Sequence, residues 1–233
     1  MSDWWSYRPE DFLLFGPQVY WRLFQLANQA AWPLQVATTL FGLALLALLA
    51  RPGGLSLPWT HRVAAGGLAA LWIHTGWAFL LHRYVPVNWA AGYAVPLFAL
   101  QAALLLGLAA VPGRLRVPAV WWPRRAVGTV LLAHGVVVHP LLAMAAGRPL
   151  RQSEVFGIAP DPTAIGTLGL LVAAVPGWPG ALCLVLPLAW CLASAATLLA
   201  LGGWEGWIPL GAALLALAAR LWPVAATPAA GGD

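Results

Sequence analysis

The sequence predicts an all-α membrane protein, a polytopic bundle of six or seven transmembrane helices preceded by an amphipathic helix in the membrane interface. Composition is the first reason: 61% of the 233 residues are hydrophobic, 8% are charged, and the mean hydropathy is +0.79. A soluble domain carries about 25% charged residues. The second reason is that apolar residues come in blocks of about twenty, the length a helix needs to cross about 30 Å of hydrocarbon. We therefore expect lipid to surround most of these helices.

The basic residues, twelve in number, are all arginine, and the sequence contains no lysine. A retinal pigment needs a lysine amine for its Schiff base, so that class of protein is excluded. Most of the arginines stand at predicted helix ends, which is typical of membrane proteins and gives nucleic-acid binding little support. We expect the partners to be the lipid bilayer and other membrane subunits or further copies of the chain.

The chain opens with an aromatic-rich segment, residues 1–29, which we predict to lie in the membrane interface. Trp4, Trp5 and Tyr7 are typical of headgroup anchors, and the segment lacks the basic start and apolar core of a signal peptide. Pro17 predicts the start of an amphipathic helix. Its apolar face contains Val19, Tyr20, Leu23, Phe24 and Ala27, and its polar face contains Gln18, Arg22, Gln25 and Gln29.

Residues 30–222 form the predicted transmembrane domain, and residues 223–233 a flexible tail. Segment 163–175 would be only about 20 Å long as a helix, so it is either a short span or a helix that enters part way. This choice separates seven spans from six. Counting arginines on the two sides favours an amino terminus outside and a carboxyl terminus inside. The other predicted spans are 30–50, 62–83, 88–111, 126–146, 181–201 and 207–222.

Small side chains within the spans predict close helix packing. Glycine lets two helix backbones approach each other. Two cysteines eight residues apart on one helix cannot form a disulfide together, so they are predicted to be small core residues. The residues concerned are Gly66, Gly67, Gly107, Gly128, Gly135, Gly169, Cys183 and Cys191.

Segment 154–171, EVFGIAPDPTAIGTLGLL, gathers several unusual residues beside an apolar helix. Asp161 precedes Pro162, a pattern that predicts a helix cap, and Gly157 and Pro160 predict irregular backbone before it. One interpretation is a capped loop at the interface with ion pairs to Arg148 and Arg151. The other is a re-entrant lining that coordinates a cation or relays protons. The residues of that path would be Glu154, Asp161, Thr163 and Thr167.

Two histidines are predicted near the middle of spans that run in the same direction, His74 in the second span and His134 in the fourth. If the two helices are neighbours, the imidazoles could bind a haem, a chlorin or a metal from opposite sides, with Gly76 and Gly135 leaving room for a macrocycle. The alternatives are a neutral imidazole hydrogen-bonded to a neighbouring helix and a part in a proton or solute path. His139 is predicted to point well away from His134, since five residues do not return to the same helix face.

No catalytic residue is predicted. The sequence contains no glycine-rich phosphate loop, no recognisable hydrolase triad and no zinc-protease signature, so catalysis has no support. No dedicated metal-ligand cluster is predicted either. Glu205 is interpreted as a loop carboxylate at the membrane interface.

Segment 156–171, FGIAPDPTAIGTLGLL, resembles the most recognisable stretch of a family of bacterial multi-pass membrane proteins described only as a domain of unknown function. The resemblance runs from the first span to Leu201 and implies an inner-membrane location, but no activity. Family members often have cysteine where this chain has Asp161, so a cysteine-based role does not carry over. Further matches are Asn88 with Ala90 and Ala91, Gln101, and Pro187 with Trp190.

The predicted function is that of a non-catalytic accessory or structural subunit of a larger membrane assembly. Abundant tryptophans and small residues, with few charges inside the spans, favour helix packing over solute handling. The first alternative is a small transporter or channel with its path at residues 154–167. The second alternative is a tetrapyrrole or metal-binding protein that uses His74 and His134.

Overall fold

The structure, a computed structural model, describes residues 15–51, 53–55, 57–111, 113–115 and 122–222. Within these ranges the regular elements are helices, and the only β-type pairing is an isolated bridge between Phe156 and Ala159. The predicted all-α fold is confirmed for this part of the chain. The predicted aromatic anchor at Trp4, Trp5 and Tyr7 and the predicted tail 223–233 lie outside the described residues.

Several helices change their winding along their length. Helix α3, Pro58–His74, continues as wider π-helical turns over Thr75–Tyr84, and α4, Ala94–Ala110, follows a 3₁₀ helix at Trp89–Tyr93. Helix α5, Trp122–Ala133, continues as π-helical turns at His134–Val138 and a 3₁₀ turn at His139–Leu141, which leads into the short α6, Leu142–Ala145. The remaining helices are α1 Pro17–Ala31, α2 Leu34–Ala50, α7 Pro160–Ala174, α8 Gly177–Ala200 and α9 Trp207–Leu221, with 3₁₀ turns at Leu150–Gln152 and Trp204–Gly206.

Four helices among the described residues are long and apolar enough to cross a membrane, which indicates a membrane protein. They cover Trp59–Tyr84, Trp89–Ala110, Pro123–Ala145 and Gly177–Ala200. A fifth is counted if α1 and α2, bent by 94° at a short break, form one broken span. The predicted six or seven spans are thus not confirmed by helix length and composition.

Helix α1 begins at Pro17 as predicted, and its apolar face packs against the protein. The ring of Phe24 stacks on Phe79 at 4.7 Å between centroids, and Tyr20 meets Tyr84 at 6.0 Å. Val19 of the predicted apolar face is 43% exposed, whereas Gln25 of the predicted polar face is buried. Helix α1 therefore lies across one end of the bundle, which we call the near end.

Helix α7 is enclosed by the rest of the protein. All fifteen of its residues are buried, and it contacts α2, α3, α5, α8 and α9. The surrounding helices expose apolar side chains such as Leu40, Leu100, Val130, Leu192 and Leu214. The segment predicted as a short or partial span is therefore a central helix, about 22 Å long at 1.5 Å per residue, that has no lipid-facing side.

Glycines set the spacing between α5 and α7. A Cβ on Gly128 would lie 2.4 Å from the carbonyl oxygen of Gly169, and a Cβ on Gly135 would lie 2.6 Å from that of Pro162. The predicted close contact is confirmed at these glycines. The prediction of close contact is wrong for Gly66 and Gly107, since a Cβ there would meet nothing within 4 Å.

Arginines cap helix carbonyls at the opposite end of the bundle, which we call the far end. Arg124 donates to the carbonyls of Ala219 and Arg220 at the end of α9, and Arg125 donates to those of Leu49 and Ala50 at the end of α2. Arg220 in turn donates to the carbonyls of Val175 and Gly177, just after α7. The guanidinium group suits this role because it presents several N–H donors in a planar fork.

Candidate functional site

The described residues contain three carboxylates, Glu154, Asp161 and Glu205, and all of them are buried at the near end. Their exposed fractions are 6%, 1% and 8%. Glu154 lies in the loop before α7, Asp161 in the first turn of α7, and Glu205 in the 3₁₀ turn before α9. Buried carboxylates need hydrogen bonds or positive charge to offset their lost hydration, so each one requires a partner.

Asp161 is held by side chains of α8. Its Oδ1 accepts a hydrogen bond from Trp190 Nε1 at 2.7 Å, and its Oδ2 accepts one from Ser194 Oγ at 2.5 Å. The prediction that Asp161 caps a helix is wrong, because α7 begins one residue earlier at Pro160 and the N-cap position is taken by Ala159. Asp161 therefore lies inside the first turn, where its carboxylate reaches α8.

A turn at Gly157 brings Glu154 and Asp161 to the same place. Gly157 has φ +78°, a left-handed conformation that favours glycine, and a Cβ there would lie 2.8 Å from Leu71 Cδ2. Its carbonyl accepts hydrogen bonds from His74 Nδ1 at 2.9 Å and from Thr75 Oγ1 at 3.3 Å. The predicted irregular backbone before α7 is thus a turn fixed to α3.

His139 joins the two carboxylates. Ligand atoms of His139, Glu154 and Asp161 all lie within 4.8 Å of one another, and His139 Nε2 is 3.7 Å from Glu154 Oε2. His139 comes from the end of α5, whereas Glu154 and Asp161 lie seven residues apart on either side of the Gly157 turn, so the group forms only when α5 packs against the start of α7. We call these three residues the near-end cluster.

His134 lies directly beside His139, contrary to prediction. His139 Nδ1 is 3.3 Å from His134 Nε2, and the two rings meet edge to face at 5.4 Å. The prediction is wrong because it assumed regular α-helix. The π-helical turns at His134–Val138 widen the winding, so the residue five positions later returns to the same face.

Glu205 forms a buried ion pair, which corrects its interpretation as an interfacial loop carboxylate. Arg148 Nη2 donates to Glu205 Oε1 at 3.1 Å, and the Arg148 guanidinium carbon lies 3.3 Å above the Trp21 ring. The predicted ion pair of Arg148 within the loop is thus made with Glu205. Arg151 is exposed, and its carbonyl accepts a hydrogen bond from Asn28.

Glu154 is the least satisfied of the three carboxylates. Its Oε2 has no hydrogen-bond partner among the described residues. The pKa of Glu154 is raised to about 7; burial is the largest cause, the charge of Arg148 opposes it, and the charge of Glu205 adds to it. A proton or a cation beside Oε2 would offset the cost of burying this carboxylate.

The hydroxyl groups of Thr163 and Thr167, the other predicted path residues, form hydrogen bonds within the protein. Thr163 Oγ1 accepts from Gly157 N at 2.8 Å and donates to the Ala159 carbonyl at 2.6 Å. Thr167 Oγ1 accepts from Trp72 Nε1 at 2.9 Å and donates to the Thr163 carbonyl at 2.7 Å. These hydrogen bonds stabilise the start of α7.

A cavity of about 170 Å³ lies next to the side chains that hold Asp161. It is lined by Trp190 and Ser194, the two hydrogen-bond donors to Asp161, together with Tyr20, Tyr84 and Asn88. Ser194 is not among the site residues predicted from the sequence. The available signal was its position four residues after Trp190, which places two donors on one face of an apolar helix.

The two predicted cofactor ligands have separate hydrogen-bond partners, His74 with Gly157 and His134 with His139. The prediction that glycines leave room for a macrocycle is wrong. A Cβ on Gly76 would meet Phe98 at 3.0 Å, and the space beside Gly135 is filled by backbone atoms of Pro162 and Gly166. A haem or chlorin between these helices thus gains no support from the packing.

Comparison with known families shows which family the chain resembles. A family model described as a family of unknown function (DUF6064) matches residues 17–228. No curated protein and no solved structure matches the chain.

Proposed function

The chain belongs to this family of unknown function, and we propose that it is a multi-pass membrane transporter that takes up a small cation at the near-end cluster. Transport through residues 154–167 is one of the functions that the sequence predicts. The cluster revises the predicted site, because His139 replaces Thr163 and Thr167 beside Glu154 and Asp161.

One observation carries the proposal: His139, Glu154 and Asp161 lie within 4.8 Å of one another and are all buried. Arg148, whose charge acts on both His139 and Glu154, is already paired with Glu205. Two carboxylates held this close in a low-dielectric site repel each other unless a cation or protons neutralise them. Ionisable groups at such positions in membrane proteins commonly mark the path of an ion.

The helices around the cluster support transport in a second way. Transporters often bind ions where helices are discontinuous. Here α5 changes its winding at His134–Leu141, α3 does so at Thr75–Tyr84, and α7 begins beside the cluster at Pro160. A cavity reaches Ser194 and Trp190, the two hydrogen-bond donors to Asp161. Toward the far end α7 is apolar and fully buried, so the ion would need a conformational change to leave there.

The proposal includes the membrane topology. Helices α2, α3, α4, α5 with α6, α7, α8 and α9 alternate in direction between the near and far ends, which corresponds to seven passes with α7 at the centre. Six passes remain if α7 does not count as a crossing. We further propose a bacterial inner membrane as the location, with the amino terminus outside and the carboxyl terminus inside, as the arginine distribution predicts.

A flux assay tests the proposed function. The purified chain is reconstituted into phosphatidylethanolamine and phosphatidylglycerol vesicles that contain a pH-, sodium- or divalent-metal-sensitive dye, and a gradient of H⁺, Na⁺ or Co²⁺ is applied. We expect the parent chain to carry at least one of these ions, and Asp161→Asn to lower that flux by about tenfold or more. Asp233→Asn, the same chemical change far away in sequence, is the control. Flux no faster than in empty vesicles for every ion would contradict the proposal.

The sequence-based prediction of a non-catalytic accessory subunit stays a prediction. Nothing in the described residues distinguishes a surface for another membrane subunit from the apolar surface that lipid would cover. The transport proposal is preferred because it accounts for the buried cluster, which an accessory role leaves unexplained.

A further inference from the structure

We infer that the cation bound by the near-end cluster is a divalent transition-metal ion, held by His139 Nε2 and by one carboxylate oxygen each from Glu154 and Asp161. This inference rests on the proposed function and names the class of cation. It concerns binding, which can be measured independently of transport.

The donor set favours a transition metal. Imidazole nitrogen suits Zn²⁺, Fe²⁺, Ni²⁺ and Cu²⁺, whereas sites for Mg²⁺ and Ca²⁺ are built from oxygen atoms alone. The near-end cluster offers one nitrogen, from His139, and two carboxylates, from Glu154 and Asp161. Three protein ligands with further positions left open are typical of zinc sites that keep an exchangeable ligand.

The spacing of the ligand atoms fits one small ion. Two ligands about 2.0–2.1 Å from a tetrahedral Zn²⁺ are about 3.3 Å apart. His139 Nε2 and Glu154 Oε2 are 3.7 Å apart, which is too long for a hydrogen bond and close to the separation across a metal. No two of the three ligand atoms are more than 4.8 Å apart. The rotatable side chains would therefore have to move by about 1.5 Å or less to bring these atoms to the separation found around a zinc ion.

Glu154 supplies an independent observation that points to a ligand. Its side chain is more than nine-tenths buried, and its Oε2 has no hydrogen-bond partner among the described residues. An unpaired buried acceptor is unfavourable, and a metal ion at this position would pair it. The same oxygen is the one that faces His139.

Neighbouring groups would orient two of the three ligands. With Nε2 of His139 on the metal, Nδ1–H donates to His134 Nε2, 3.3 Å away, and this fixes the tautomer and the ring plane. Trp190 and Ser194 hold the Asp161 carboxylate and still leave lone pairs for a metal. Hydrogen bonds of this kind to metal-bound histidines and carboxylates are a regular feature of metal sites.

The charge of the surroundings matches a divalent ion. When ionised, Glu154, Asp161 and Glu205 carry three negative charges, and Arg148 supplies one positive charge. The histidines are neutral when one is a metal ligand and the other accepts its hydrogen bond. The remaining two negative charges are neutralised by one divalent ion.

Metal binding to the purified full-length chain in detergent tests the inference. After treatment with a chelator, the chain is titrated with Co²⁺, and the ligand-field absorption and bound metal are measured, with Zn²⁺ and Mg²⁺ as competitors. We expect one Co²⁺ per chain, displacement by Zn²⁺ and none by Mg²⁺. Glu154→Gln and His139→Gln should each lower the Co²⁺ affinity by about tenfold or more, whereas His82→Gln, an exposed histidine, should leave it unchanged.

Two results would overturn the inference: no Co²⁺ or Zn²⁺ bound by the parent chain, or equal affinity in the parent and both cluster variants. X-ray absorption of the Co²⁺-loaded parent chain, which needs no variant, should show one nitrogen among oxygen ligands and no sulfur. A chain that carries H⁺ or Na⁺ without binding Co²⁺ would refute only the metal, whereas tight Co²⁺ binding without flux of any ion would refute only the transport proposal.

Discussion

At the scale of single residues, the near-end cluster depends on how firmly Asp161 is held. Its carboxylate is 1% exposed, and it accepts hydrogen bonds from an indole and a hydroxyl on the same helix. Both donors are neutral, so they orient the carboxylate without cancelling its charge. The negative charge therefore remains available to a cation, which an arginine in the same place would have neutralised.

Ser194→Ala should lower the free energy of unfolding of the chain by about 2 kcal/mol, because hydrogen bonds to charged groups are stronger than neutral ones. The matched control is Ser153→Ala, since Ser153 is also buried but its Oγ has no hydrogen-bond partner among the described residues. That change should be neutral or stabilising. Both can be compared by thermal unfolding in detergent, and an equal loss in the two variants would show that Ser194 contributes only its volume.

Residue roles could be predicted from sequence only where they depend on near neighbours. The turn at Gly157 was predictable from glycine and proline spacing. The role of Asp161 was not, because its donors Trp190 and Ser194 are 29 and 33 residues away on α8. Local pattern shows that Asp161 stands beside Pro162, but it does not show that Pro160 starts the helix and turns the carboxylate toward α8.

At the scale of helices, the tightest packing is between α5 and α7, where backbone lies on backbone. Gly128 and Gly169 face each other so closely that a Cβ on either would lie about 2.5 Å or less from the other's carbonyl oxygen. Carbonyl oxygens of a helix cannot move aside in the way a flexible side chain can. This contact fixes the position of α7 and with it the position of Asp161 relative to His139.

Gly128→Ala should lower the free energy of unfolding by about 1–3 kcal/mol, because the new methyl group would force α5 and α7 apart. Gly107→Ala is the control, since Gly107 lies in α4 and a Cβ there meets nothing within 4 Å. That control should gain up to about 1 kcal/mol, because alanine has the higher helix propensity. Denaturant or thermal unfolding measures both, and opposite signs are expected. A loss of similar size in Gly107→Ala would mean that the effect is not one of packing.

The positions of the helices could be predicted from the sequence, but their π-helical turns could not. Pro17 correctly predicts the start of α1, and blocks of apolar residues correctly predict the long helices. The π-helical turns of α3 and α5 have no comparable sequence signal, because an extra residue per turn is favoured by tertiary packing rather than by the residues it contains. The pairing of His134 with His139 was missed for this reason.

At the scale of the whole molecule, the polar groups are divided between the two ends. The near end contains the buried carboxylates, Arg148 and the cavity beside Ser194. The far end contains Arg124, Arg125 and Arg220, which cap helix carbonyls. Between the ends, α7 is buried and apolar from Leu168 to Val175. In the proposed transporter, the groups that would hold a cation therefore lie at the near end.

The topology depends on whether α7 crosses the membrane. Two exposed residues, one before α7 and one after it, can decide this. Leu150 precedes α7 and is 58% exposed, and Trp178 follows it and is 73% exposed. In a chain with Cys183→Ala and Cys191→Ala, Leu150→Cys and Trp178→Cys would be labelled with a membrane-impermeant maleimide. Seven passes predict that Leu150→Cys reacts from outside and that Trp178→Cys reacts only after permeabilisation, because α7 separates them.

Two further positions calibrate this experiment. Trp89→Cys, between α3 and α4, should react like Leu150→Cys, and Leu57→Cys, between α2 and α3, should react like Trp178→Cys; both residues are more than half exposed. If Trp178→Cys instead reacts together with Leu150→Cys, α7 enters and leaves from the same side and the chain has six passes. In that case a cation at Asp161 would lie in a re-entrant segment, and the far-end exit required for transport would have to run outside α7.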